Sequence, residues 1–442
     1  MKKLLPPIEV IEEPDGATLL CLSRRDVPAC AAWVSCPGGR RLEPPGRAAL
    51  GLLSAALFGE GPAGIDPLDW RRQLEREAVS VGVHCRAQEW EASWGCLSED
   101  VEVAQGFLLR LLGQPGLHRG RWKRLVKGRR ASARETFAQP IGVIGQLPYV
   151  QSLGRRHPYA RAHHEKAIAR VRYRDAAAMA RSAFRRRGPI CAAVGGDVAP
   201  EDGIRLARDL VAVIAAGGDP LPPEPSPAPS RAPVWLMDHP KVTQAFVALS
   251  RPGVRAGDPD RVALRLAMRI IGGGLTSRLG ERVRVEMGHT YGISAHLPEE
   301  RMLTPFVIQT FTQVEKLTEM LSLIDQILRE VVDEGFTREE VDAAGDYLHG
   351  SLPLHLTSPR AVLRYVERGL RAGLSVDALE DDWQAIRSTP LSAVNEAARR
   401  LIGDVEFRLA VIGPAREVRP QIEGRGEIAR FPFRASPDRW PD

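Results

Sequence analysis

The sequence predicts an α+β protein made of two like halves, each a mostly antiparallel sheet packed with helices in an α/β sandwich. Three observations carry that expectation: an internal repeat, a proline-rich connector between the copies, and a shared order of elements. Pro37-Gly38 returns as Pro252-Gly253. Pro45, Arg47, Ala49, Leu50, Leu52 and Gly59 return, 214 positions later, as Pro259, Arg261, Ala263, Leu264, Leu266 and Gly273. Val101-Glu102 returns as Val314-Glu315, and Val194 with Gly196 as Val411 with Gly413. A separation that drifts only between 213 and 217 marks a duplicated unit. Residues 217–234 hold seven prolines, which forbid helix or central strand and favour an extended connector. The expected organisation is a domain over 1–216, a linker over 217–234 and a second domain over 235–442.

Short apolar runs at 30–36 and 243–250, each ending at Pro-Gly, read as strands. Residues 260–271 place Arg261, Arg265 and Arg269 four apart among apolar neighbours, so a largely buried helix with one polar stripe is expected. Residues 100–113 and 314–334 have amphipathic spacing, and 188–194 and 406–412 read as late strands. Long helices set against antiparallel strands make an α+β unit.

At 442 residues the chain exceeds one ordinary core, and its 44% hydrophobic and 26% charged residues fit a folded globular protein. The net charge of +6 invites a nucleic-acid reading. Basic residues spread along the chain with acids between them, and no Lys/Arg block with interleaved aromatics stands out, so no nucleic-acid partner is expected. The six cysteines lie in the first half with no C-x-x-C spacing. They read as buried free thiols of a reducing compartment. Met-Lys-Lys-Leu-Leu-Pro-Pro lacks the apolar stretch of a secretory signal, and no run of 18 apolar residues occurs, so a cytoplasmic protein without a membrane-spanning segment is expected. His163-His164-Glu165 has ligand types but not ligand spacing, and no dinucleotide, phosphate-loop or serine-hydrolase motif appears.

Residues 37–61 resemble the segment that carries the inverted zinc motif H-x-x-E-H in the insulinase/pitrilysin metallopeptidases, the inverzincins. Other stretches share the likeness: Leu97-Ser98-Glu99-Asp100, His157-Pro158-Tyr159, Gly272-Gly273-Gly274-Leu275-Thr276-Ser277-Arg278-Leu279, and Ser351 through Arg360. The motif needs two imidazoles at i and i+4 on one helix face to hold Zn²⁺, and a carboxylate at i+3 to activate water. The matching positions here are Gly51, Ser54 and Ala55. The family's third ligand falls near Ala131, and Glu135 beyond it reads as a solvated helix charge. All ligand positions and the base are therefore absent together, and no metal is expected in this chain.

Arg284 and Tyr291 match an Arg and a Tyr that the resemblance implies for substrate binding. A guanidinium can hold a peptide carbonyl or carboxylate through several donors, and a phenol can donate to a developing oxyanion. Gly288 suits the position just past a helix end, with Arg284 in the last turn and Tyr291 at the start of the next strand. The bare residues also fit an Arg in a surface ion pair and a Tyr packed at a strand start. What the resemblance implies is a catalytically inactive subunit forming a clamshell with a homologous zinc-bearing chain that keeps H-x-x-E-H, with a peptide as substrate. A scaffold subunit of a respiratory-type complex, or a dedicated partner in maturing a peptide cofactor precursor or bacteriocin, fits the same residues.

Overall fold

The computed structural model describes residues 3–403 and 406–441. The strands are β1 (Glu9–Glu12), β2 (Thr18–Ser23), β3 (Ala29–Pro37), β4 (Ser80–Cys85), β5 (Glu89–Leu97) and β6 (Cys191–Gly196) in one sheet. The second sheet holds β7 (Val234–Asp238), β8 (Gln244–Pro252), β9 (Ile293–His296), β10 (Pro305–Gln313), β11 (Arg408–Gly413) and β12 (Ile428–Pro432). Their orders are β1-β2-β6-β3-β5-β4 and β12-β7-β11-β8-β10-β9.

Five strands of each sheet repeat the same plan. The β2–β6 and β7–β11 pairs are parallel, and every later neighbour in each row is antiparallel. The sixth strand differs: β1 runs antiparallel to β2, whereas β12 runs parallel to β7. The repeated Pro-Gly pairs close β3 and β8, as the spacing predicts.

Proximity of Cα atoms divides the chain into two compact units. One comprises 1–135, 161–223 and 356–367; the other comprises 136–160, 224–355 and 368–442. Each unit thus includes a segment from beyond the proline-rich stretch, and that stretch divides between Pro223 and Glu224.

In the first unit, Cys30, Ala32, Val34 and Cys36 of β3 and Trp90, Ala92, Trp94 and Cys96 of β5 face a helical layer. The layer includes Leu50–Phe58, Val101–Gly113, Tyr173–Arg181 and Pro200–Ala212. The alternate residues Trp33, Ser35 and Glu91 are buried as well. Covering on both faces explains why β3 reads as a near-continuous apolar run rather than an alternating one. In the second unit, Val143, Ile144, Leu147 and Val150 pack with Trp235, Met237, Ala248 and Ile412. Helix Arg261–Gly272 is largely buried, and its stripe is engaged: Arg261 pairs with Asp382, Arg265 with Glu299, and Arg269 stacks 3.8 Å over the Tyr347 ring.

Candidate functional site

Gly51, Ser54 and Ala55 share helix Leu50–Phe58 and are all buried. The helix starts at Ala49 in a left-handed conformation, with no side-chain cap of its own. Glu43 supplies the missing acceptor, since the Gly51 amide donates to its carboxylate at 2.8 Å. An acceptor with negative charge suits the unpaired amides of a helix N-terminus. Arg161 lies beside the same buried carboxylate at 3.4 Å and also donates to the Glu43 carbonyl at 2.9 Å. Burial pushes the Glu43 carboxyl above its ordinary range, against the pull of the Gly51 amide and Arg161.

A zinc ion does not fit this donor set. A Cβ placed on Gly51 would sit 2.4 Å from the Cys85 sulfur, so the room for a side chain at 51 is already filled. The Ser54 hydroxyl is spent on the Leu50 carbonyl at 2.7 Å, and Ala55 has no donor. Cys85 is itself a poor thiolate, because burial raises its pKa well above the ordinary value. Ala131 stands exposed on helix Trp122–Ala138. Among the described residues, no group of three or more His, Cys, Asp or Glu side chains is arranged to hold a metal.

The His163-His164-Glu165 cluster is divided among separate tasks. His164 Nδ1 accepts from the Lys166 amide at 3.2 Å and so caps helix Glu165–Arg170. Glu165 binds Arg134 and Arg130, which hold its pKa down at about 2. His163 Nε2 is buried without a hydrogen-bond partner, and burial, followed by Arg40 and Arg129, lowers its pKa to about 4. The six cysteines are free thiols.

Arg284 and Tyr291 lie in the second unit on one continuous segment. It begins at the glycine run: a Cβ on Gly272 would meet the Ala295 amide at 2.5 Å, and one on Gly280 the Gly274 carbonyl at 2.2 Å. The Ser277 hydroxyl donates to the Gly274 carbonyl and accepts from the Gly280 amide, at 2.6 and 3.1 Å. The helix that follows, Gly280–Glu286, is wound wide, with the Met287 amide reaching back five residues to the Arg282 carbonyl at 3.2 Å. Such π-type turns are rare and concentrate at functional sites. Gly288 has φ +60° with open space around its Cβ position, so the left-handed backbone itself selects glycine there. Arg284 falls in the last turn of this helix, and Tyr291 lies just ahead of β9.

Both side chains are exposed, Tyr291 to 84%. Neither has a hydrogen-bond or ion-pair partner among the described residues, so the ion-paired Arg and packed Tyr of the alternative reading are not found. Leu275, Val285 and Met287 on the same segment are exposed as well.

Residues 182–348 match the family profile described as the peptidase M16 inactive domain. Over those residues the chain is similar to the M16 inactive domain. It is similar to a protein of Helicobacter pylori named non-peptidase homolog YmxG, 22% identical over 84% of this chain and 86% of that one. It is also similar to an uncharacterized zinc protease of Bacillus subtilis, 25% identical over 39% of this chain and 42% of that protein. The crystal structure of a peptidase M16 inactive domain from Pseudomonas fluorescens shares its fold, with a TM-score of 0.83, 23% identity, and coverage of 92% of this chain and 98% of that one. The likeness to the insulinase/pitrilysin metallopeptidases therefore holds over residues 182–348, as a likeness to an inactive domain of that family.

The M16 match contains Arg284, Tyr291 and the glycine run, and leaves residues 37–61 outside it. The surroundings of Gly51 are not legible in the sequence. Glu43 and Cys85 come from a loop and an edge strand, and nothing in their spacing announces that they meet Gly51.

Proposed function

We propose that this chain is the non-catalytic subunit of a two-component zinc peptidase. A homologous partner with an intact H-x-x-E-H helix brings the zinc and the general base; this chain binds the peptide and presents Arg284 and Tyr291 to it. The observation that carries the reading is that both side chains are exposed and unpartnered on a segment whose backbone is otherwise tightly specified. Arg284 offers guanidinium donors to a peptide carbonyl or carboxylate, and Tyr291 offers one phenolic proton to the oxyanion that grows on the scissile carbonyl. The chain alone has no peptidase activity. Six free thiols support a reducing, cytoplasmic setting.

The test is copurification of the tagged chain with an H-x-x-E-H partner, followed by peptide hydrolysis with Arg284→Ala and Tyr291→Phe complexes. Tyr291→Phe is expected to lower kcat by about 100- to 1000-fold, the loss of one oxyanion donor. Arg284→Ala is expected to act more on KM, as loss of uniform binding does. A partner fully active by itself, or a complex indifferent to both changes, identifies a scaffold subunit instead.

A further inference from the structure

Contrary to the expectation of basic residues spread along the chain, a local basic run lies on helix Trp122–Ala138. Its six cations and single acid, Glu135, give it a net charge of +5, against +6 for the whole chain. Lys123, Lys127, Arg130 and Arg134 follow at steps of four, three and four residues, which aligns them in one stripe. The stripe walls a groove of about 400 Å³ whose floor includes Trp122, Val126 and Val171. Arg130 and Arg134 share the Glu165 carboxylate, whereas Lys123, Arg124, Lys127 and Arg129 have no acidic partner among the described residues. Ala133 is the one buried residue of this helix among those described. Lys123 and Lys127 are thus left without an acidic partner among the described residues, and like charges four apart weaken a helix left to itself.

We propose that this groove binds an acidic peptide segment in extended conformation. With a rise of about 1.5 Å per residue, the stripe presents cations every 4.5–6 Å or so. Alternate side chains of an extended chain lie about 6.6 Å apart, so carboxylates at every second residue meet successive cations. The intervening apolar side chains have the Trp122, Val126 and Val171 floor. One tryptophan makes no stacking platform for bases, which separates this groove from a single-stranded nucleic-acid site. The proposal is independent of Arg284 and Tyr291, which belong to the other unit.

Fluorescence anisotropy with the full chain tests it, using a labelled octapeptide of alternating Glu and Val, its Gln-for-Glu counterpart, and a single-stranded oligothymidylate. The acidic peptide is expected to bind and the Gln counterpart to bind much more weakly. The exposed double substitution Lys123→Gln/Lys127→Gln should weaken acidic-peptide binding about tenfold, the loss of two surface ion pairs, with an unchanged circular dichroism spectrum. Equal binding of the Glu and Gln peptides, indifference to the double substitution, or binding of the oligothymidylate in place of the acidic peptide overturns the proposal.

Discussion

Gly51 lies directly against Cys85: its missing Cβ would fall 2.4 Å from the Cys85 sulfur, while its amide is bonded to Glu43. The space beside position 51 is thus filled by Cys85 rather than open. Gly51→His should destabilise the fold by about 1–3 kcal/mol or more, the usual cost of overpacking. Thermal denaturation measures it, and adding Cys85→Ala should recover part of the loss. The triple variant Gly51→His/Ser54→Glu/Ala55→His should take up no stoichiometric zinc by elemental analysis. Tight zinc in that variant would show that the site needs only its ligands back.

Glu367 is a second buried acid with a defined task. It accepts from the Trp33 indole at 2.9 Å and from the Ser35 hydroxyl, and it pairs with Arg364 at 3.0 Å. Arg364 in turn holds Glu91 at 2.7 Å and stacks 4.0 Å over the Trp33 ring. Glu367→Ala leaves a buried indole, a hydroxyl and part of a guanidinium uncompensated, so a loss of about 3–5 kcal/mol is expected in denaturant unfolding. A loss below about 1 kcal/mol, the worth of one ordinary hydrogen bond, would mean that water replaces the carboxylate.

Stability should fall with acid in two stages around residues 163–165. His163 is held neutral, its pKa lowered from 6.5 to about 4, so its contribution is full above pH 6.5 and is lost as pH falls through 4. By linkage that is on the order of 1–3 kcal/mol. Glu165, lowered from 4.5 to about 2, adds stability above pH 4.5 that is lost as pH falls through 2. Denaturant midpoints against pH check both: His163→Asn should flatten the profile between pH 6.5 and 4, and Glu165→Gln should flatten it below 4.5. Identical slopes for the native chain and His163→Asn would remove His163 from the account.

Gly288→Ala should cost about 1–2 kcal/mol, because φ +60° is disfavoured for a residue with a Cβ even where nothing crowds it. Arg284→Ala and Tyr291→Phe in the isolated chain should instead leave the melting midpoint within about 0.5 kcal/mol equivalents, as for surface residues without partners. A large stability loss in either would assign that side chain to the fold rather than to a ligand.

Much of the fold was legible because it is written twice. The repeated Pro-Gly strand ends, the 260–271 arginine stripe and the amphipathic helices depend on local periodicity, and they appear near their expected positions. That Gly51, Ser54 and Ala55 offer no imidazole or carboxylate was legible for a similar reason, since ligands would occupy fixed steps on one helix face.

Sequence alone therefore determined the elements, the duplication, and the absence of ligands at 51, 54, 55 and 131. Tertiary structure alone decided which segments complete each unit, since residues 356–367 and 136–160 each join the unit beyond the proline-rich stretch. It also decided that Cys85 fills the space beside Gly51, and that Glu367 meets Trp33 across 334 positions of chain. Periodicity is a property of neighbours along the chain, whereas burial of a charge or the filling of a cavity depends on which distant residues packing brings together.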